Sequence, residues 1–274
     1  MVLLGKKIAI ALPDTVLEDK ESLREKTVKL GFIARACAIF GVDVIEVFRD
    51  PKVTGEERTV RKVLEYLETP QYLRKRLFPL DEELRYAGML PPLRIPSHKA
   101  KIPFDRLTTG EVREGVVNAA GTVDIGLDVA PRLRQRSLAG RRVTVKVTSL
   151  APPEVDLIPK EEAGSYWGYA VERKSLMEVL SDARFGLKVA TSRLGIPMVD
   201  EFGRLGPSLR RVDGVKLIFG SPSRGLFDVV GQDLPRKVDY VVNFFPEQHV
   251  ETVRTEEAVL VSLGVVSLLA AEKA

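Results

Sequence analysis

The feature that most constrains this chain is a change of pattern in its middle. Up to Pro91-Pro92, apolar runs alternate with amphipathic helical stretches. From there to Trp167, prolines become dense and short segments alternate apolar with polar residues, as in Val123, Ile125, Leu127 and in Val143, Val145, Val147. After Trp167 the first pattern returns. Strands alternating with helices predict a parallel sheet covered by helices, and closely spaced two-residue periodicity predicts a small antiparallel barrel. The expected organisation is therefore one α/β domain, residues 1–92 and 165–274, interrupted by a β domain at residues 93–164.

Local signals place the elements. Lys7–Leu12 reads as a short buried strand within the apolar stretch Met1–Leu12, which has no charged leader ahead of it. Ser22-Leu-Arg-Glu25 has capping-box spacing and opens a helix whose apolar seam is Leu23, Thr27, Leu30, Ala34 and Cys37, with Gly41 placed to end it. Val42–Phe48 reads as a second strand. Thr54-Gly-Glu-Glu57 repeats the capping spacing before a helix bearing Val60, Val63, Leu64 and Leu67. In the second half Ser175-Leu-Met-Glu178 caps another helix, Leu187–Ala190, Val215–Phe219 and Tyr240–Val242 read as strands, and Glu256–Ala271 is a helix apolar on nearly every side.

Composition removes several function classes. The single cysteine, Cys37, allows no disulfide framework, and two histidines, His98 and His249, are too few for a zinc site, so no metal is expected. The longest apolar stretch, Ala258–Ala271, is shorter than the roughly 20 residues a bilayer demands, which argues against a membrane and for a cytoplasmic protein. Neither G-x-G-x-x-G nor G-x-x-x-x-G-K occurs, which disfavours an ordinary dinucleotide fold and a P-loop.

Charge is uneven. The whole chain carries +4, yet Arg94 to Lys146 holds 11 Lys/Arg against 5 Asp/Glu. Arg132, Arg134, Arg136, Arg141, Arg142 and Lys146 form a basic cluster there, suited to neutralising RNA phosphates. Phe104, Tyr166 and Trp167 are the rings available for base stacking, or for the barrel's own core.

Three loops follow three strands of the second half, and ligands of parallel sheets gather beyond the carboxyl ends of strands. They are Thr191-Ser-Arg-Leu-Gly195, Gly220-Ser-Pro-Ser-Arg-Gly225 and the segment Asn243–Arg254. Glycines and small residues there let backbone groups approach a ligand closely. Each loop taken singly is equally ordinary turn chemistry.

These stretches resemble the motifs of the SPOUT RNA methyltransferases. Gly31-Phe-Ile-Ala-Arg35, on a helix ending in Gly41-Val-Asp43, is similar to the first motif. Leu217-Ile-Phe-Gly220-Ser-Pro-Ser-Arg-Gly225 is similar to the second, and Asn243-Phe-Phe-Pro with Glu251-Thr-Val-Arg-Thr-Glu-Glu-Ala258 to the third. Glu83-Leu-Arg-Tyr-Ala-Gly88 and Ala190-Thr-Ser-Arg-Leu-Gly195 resemble the archaeal and eukaryotic branch with an inserted OB-like domain, described as RNA uridine N3-methyltransferases.

The resemblance implies an α/β trefoil knot with an inserted OB-like barrel, S-adenosylmethionine as cofactor, a homodimer packed through the final helices, and ribosomal or other structured RNA as partner. It assigns Arg193, Gly220, Asn243 and Thr252, with Ser192 and Ser221, to the cofactor. Arg35 and Arg254 become candidate catalytic residues; a helix-face ion pair for Arg35 and a helix-start position for Arg254 are the alternatives. Two other readings stand beside this one: a ribosome-assembly protein that binds RNA without chemistry, and an α/β enzyme acting on a small acidic metabolite with the insertion as a lid.

Overall fold

The computed structural model describes residues 6–271. The first five residues of the stretch expected to lead into the first strand lie outside the described residues. Two compact units divide the chain: Met1–Glu65, Glu83–Pro91 and Tyr169–Ala274 form one, and Tyr66–Glu82 with Pro92–Gly168 forms the other.

The first unit is built on a six-stranded parallel sheet. Its strands are β1 (Lys7–Pro13), β2 (Val44–Arg49), β8 (Ala170–Ser175), β9 (Leu187–Pro197), β10 (Gly214–Ile218) and β11 (Tyr240–Asn243), in the order β11-β9-β10-β1-β2-β8. β1 is central, and Ile8 to Leu12 are wholly buried. Strands covered on both faces read as continuous apolar runs, which is why KIAIAL and VKLIF were legible as strands.

Helix α1 (Leu23–Phe40) has the expected capping box, with Ser22 and Glu25 satisfying each other's backbone N–H groups, and ends on Gly41 at φ 69°. Helix α4 (Leu176–Ser181) is capped in the same way by Ser175 and Glu178. The expected cap at Thr54 is a correction. Helix α2 (Glu57–Glu68) starts later, because the Glu56 N–H donates to the Asp14 carbonyl at 2.9 Å and a Cβ on Gly55 would lie 2.4 Å from the Asp14 backbone. A tertiary bond took the residues that the local pattern had assigned to the cap.

An ionic cluster runs from the buried pair Lys216 and Glu46 out to the surface. Lys216 Nζ is 2.7 Å from Glu46 Oε2 and 3.2 Å from Asp182 Oδ2, and Arg184 bridges Glu46, Asp182 and Glu172 at 2.8–2.9 Å. Burial pushes the Asp182 carboxyl up, but hydrogen bonds from Arg184 and Lys216 outweigh it and hold it well below the usual carboxylate range. Its stabilising effect is therefore present above the unfolded-state value of about 3.9 and is lost as the pH falls below it. Burial raises Glu46 above its ordinary value despite Lys216, and this group acts in the opposite sense. Urea midpoints measured from pH 7 to pH 3 should fall in the wild type and fall less in Asp182→Asn.

The second unit is a barrel-like sheet. Its strands are β3 (Val112–Val117), β4 (Val123–Asp124), β5 (Arg132–Leu133), β6 (Arg142–Leu150) and β7 (Pro153–Leu157), in the order β4-β3-β6-β7-β5. β5 pairs parallel with β7, every other ladder is antiparallel, and an isolated bridge from Thr122 to Arg132 brings the two edges nearly to closure. Leu107, Val117, Val123, Ile125, Val143, Val145, Val147 and Val155 fill the interior. Helix α3 (Gln71–Leu77) belongs to this unit: the Tyr72 hydroxyl donates to the Glu114 carbonyl at 2.7 Å.

One member of the basic cluster differs from the others in its surroundings. Arg132, Arg134, Arg136, Arg141 and Lys146 are exposed, with Arg134 beside Asp156 at 3.3 Å. Arg142 is only partly exposed. Its guanidinium lies 2.5 Å from Glu68 and 2.6 Å from Glu114, two carboxylates withdrawn from water. A buried carboxylate needs a cation, and Arg142 serves the barrel. Trp167 is core as well, its Nε1 donating to Glu114 at 2.7 Å, and Phe104 packs against the barrel interior.

Candidate functional site

Beyond the carboxyl ends of β10 and β11, and beside the break in the ladder of β9 at residues 191–195, lies a cleft of about 380 Å³, within the usual range of small-molecule sites. All six residues assigned to the cofactor from the sequence line it: Ser192, Arg193, Gly220, Ser221, Asn243 and Thr252. They reach it from three separate segments, and each segment has a local physical cause.

The first segment corrects an expectation. The sequence predicts a loop at residues 191–195 after a strand ending at Ala190, whereas β9 continues to Pro197. The pairing explains both readings. Val241 of β11 is opposite Ala190 and the next residue, Val242, is opposite Ile196, so residues 191–195 leave the ladder and return to it. Gly195 makes the return possible, since a Cβ there would sit 2.7 Å from the Val241 carbonyl oxygen. The excursion is held by Thr191 Oγ1 donating to the Ile218 carbonyl at 3.1 Å and by the Leu194 N–H donating to Ser192 Oγ at 3.1 Å.

The second segment, 220–225, is folded on itself. The Ser221 N–H donates to the Arg224 carbonyl at 2.9 Å, and the Arg224 N–H to Ser221 Oγ at 3.2 Å. The Ser221 hydroxyl donates to Glu18 Oε1 at 2.5 Å, so it is committed to the loop. Arg224 grips both oxygens of buried Asp50 at 2.7 and 2.8 Å. Gly220 opens this turn, and a Cβ there would lie 2.9 Å from the Arg224 carbonyl oxygen and 3.1 Å from the Gly225 Cα.

The third segment begins with Asn243, which ties two of the segments together. Its Nδ2 donates to the Arg193 carbonyl at 3.2 Å and its Oδ1 accepts from the Phe245 N–H at 2.9 Å. Thr252 follows, then helix α8 (Thr255–Ala271), whose Thr255, Ala258 and Ser262 also line the cleft. Ser262 Oγ is fully buried there and has no hydrogen-bond partner among the described residues. An unsatisfied buried hydroxyl is costly, and this one faces a site with room for a polar ligand group.

Neither Arg35 nor Arg254 lines the cleft. Arg35 is exposed on α1, and Arg254 precedes α8, where its N–H donates to Glu257 Oε2 at 2.9 Å. Among the described residues no group of three or more His, Cys, Asp or Glu is placed to hold a metal, and no helix is long and apolar enough to cross a membrane. The supporting residues Glu18 and Asp50 were not singled out from the sequence; they stand 203 and 174 positions from the groups they hold.

Comparison with known proteins adds an independent finding. The model of a family described as "Putative RNA methyltransferase" matches residues 7–266. An uncharacterized protein of Halobacterium salinarum is 35% identical over 95% of this chain and 98% of its own length. The 28S rRNA (uridine-N(3))-methyltransferases of Mus musculus and Homo sapiens are 35% and 33% identical over 94% of this chain, and 75% and 77% of their own lengths are covered.

Proposed function

The chain belongs to the RNA methyltransferase family whose model spans residues 7–266, and from that premise we propose that it transfers the methyl group of S-adenosylmethionine to N3 of a uridine in ribosomal RNA. The observation that carries this reading is the convergence of Arg193, Gly220, Asn243 and Thr252 on one cleft at the carboxyl ends of parallel strands, in a chain one third identical to two uridine-N3 methyltransferases.

The residues present fit the cofactor. Backbone-rich turns at 191–195 and 220–225 suit the polar edge of an adenine, and Phe244, Phe245, Val242 and Ala258 offer apolar cover. The unpartnered Ser262 hydroxyl awaits an acceptor or donor. When bound, S-adenosylmethionine supplies a methyl group already activated by its sulfonium. The protein's task is then to align the uridine, exclude water and favour loss of the N3 proton.

The finer architecture belongs to the same proposal. Support for the knotted SPOUT topology is that β9 lies between β10 and β11, both later in the chain, and that α8 returns to pack against α1 and α5 (Met198–Arg211). Support for an OB-like insert is the five-stranded order, nearly closed, with one parallel pairing between its third and fifth strands. Support for a homodimer comes from apolar side chains left exposed on two helices that pack together: Phe32 and Ile39 on α1, Leu260 and Leu268 on α8. A cytoplasmic location belongs to the same proposal. Arg35 and Arg254 remain the catalytic candidates of this proposal; neither lines the cleft, so they would act from the side of the RNA acceptor.

The test is calorimetric titration of the purified protein with S-adenosylmethionine, followed by incubation with unmodified ribosomal RNA and nucleoside mass spectrometry. One cofactor per chain and appearance of N3-methyluridine are expected. Saturable binding with methylation of another atom would overturn the uridine N3 assignment, and absence of binding would overturn the cofactor assignment.

A further inference from the structure

The turn after β1, residues 14–20, reaches two of the segments that line the cleft. We infer that its Glu18 and Asp19, together with Lys29 of α1, form a strut that holds those segments in the shape that takes the cofactor. The inference rests on the reading of the cleft as the S-adenosylmethionine site. None of the three residues lines the cleft, so each is a positioning residue.

One arm reaches the 220–225 turn. A single oxygen, Glu18 Oε1, accepts from the Ser221 hydroxyl at 2.5 Å, the Ser223 N–H at 2.9 Å and the Ser223 hydroxyl at 2.7 Å. Hydrogen bonds to a charged acceptor are the strong kind, and these three fix a segment that is also anchored at long range by Arg224 on Asp50. Asp50 is itself tied to the same turn, its N–H donating to Asp14 Oδ1 at 2.9 Å.

The other arm reaches the start of α8. Lys29 Nζ is 2.6 Å from Asp19 Oδ1 and 3.4 Å from Glu256 Oε2, and its side chain is 0% exposed. A cation removed wholly from water is tolerated only where anions surround it. Lys29 therefore draws Asp19 and Glu256 towards one point. Glu256 is in the first turn of α8, next to Thr255, which lines the cleft. Glu18 and Asp19 are consecutive, so displacement of either arm displaces the other. No motif in the sequence marks these residues as a group, because they act through the cleft's walls and not on its contents.

The experiment compares wild type, Glu18→Ala, Glu18→Gln, Lys29→Met and the double variant Glu18→Ala/Lys29→Met. Three quantities are measured: the calorimetric Kd for S-adenosylhomocysteine, amide hydrogen exchange at Ser223 and Arg224 in ligand-free protein, and the thermal midpoint. Glu18→Ala should bind about tenfold more weakly, since the loop must be ordered at the expense of binding, with faster exchange at both amides and little change in midpoint. Glu18→Gln keeps an acceptor oxygen and should recover most of the affinity. The double variant should lose less than the product of the two single losses, as expected for groups acting through one device.

A wild type that binds and a Glu18→Ala variant that binds equally well would overturn the strut, whether or not exchange quickens. A wild type that does not bind overturns the reading of the cleft and this role with it. If Lys29→Met does not fold, the two Glu18 variants decide the question by themselves.

Discussion

Replacing Gly220 with valine is expected to weaken S-adenosylmethionine binding by about 5- to 150-fold while leaving the fold intact. The cause is steric and local. A Cβ at this position meets the Arg224 carbonyl oxygen at 2.9 Å and the Gly225 Cα at 3.1 Å, both backbone atoms, so no rotamer change relieves it. The turn must open, and it cannot open freely, because Glu18 holds Ser221 and Ser223 and Asp50 holds Arg224. Overpacking of this kind costs about 1–3 kcal/mol; where the free turn relaxes and the cofactor requires the original shape, that cost falls on binding, and each 1.4 kcal/mol is tenfold in Kd. The strands beneath are untouched, since the clash lies beyond Ile218, where β10 ends. Calorimetry with S-adenosylhomocysteine and a thermal melt of the same sample would separate the two effects. An unchanged Kd would mean that the 220–225 turn is not a cofactor wall; a collapsed melting curve would mean that Gly220 serves the fold.

The fate of each sequence expectation depended on whether its signal was local. The cap at Ser22, the stop at Gly41 and the cap at Ser175 were legible because the bonds that define them close within three or four residues. The same grammar failed at Thr54, where the Glu56 N–H is taken by Asp14, 42 positions earlier. The excursion at 191–195 could be read as a loop from its small residues, but the return of the strand at Ile196 is set by β11, more than 40 positions on. The cleft residues were legible because small residues and glycines gather in three short stretches, two after the ends of β10 and β11 and one where β9 leaves its ladder. Their supports were not, because Glu18, Asp50 and Lys29 look like any surface charge until the chain is folded. Arg142 shows the same limit within a run of like charges, where only Glu68 and Glu114 distinguish it from its neighbour Arg141.

That distinction sharpens what the barrel should do to RNA. Reversing Arg132, Arg134 and Arg136 to glutamate is expected to lower affinity for ribosomal RNA about 100-fold at 0.1 M salt and to leave S-adenosylhomocysteine binding unaltered. All three are exposed on the barrel, where phosphate contacts release counterions. Each contact to a single-stranded segment contributes a slope of roughly 0.7 in log affinity against log salt. Three such contacts make the slope about 2 units steeper, which at tenfold below 1 M salt is about two orders of magnitude. The variant should therefore bind with a shallower salt dependence, and the gap to wild type should close as salt rises. Arg142→Glu is the informative contrast. Its guanidinium holds Glu68 and Glu114 in place of phosphate, so its loss should appear first in the thermal midpoint, with two buried carboxylates left uncompensated. Filter binding across a salt series, read beside melting curves, tests both claims. A triple variant that loses affinity equally at every salt concentration would show that these arginines act on something other than the phosphate backbone.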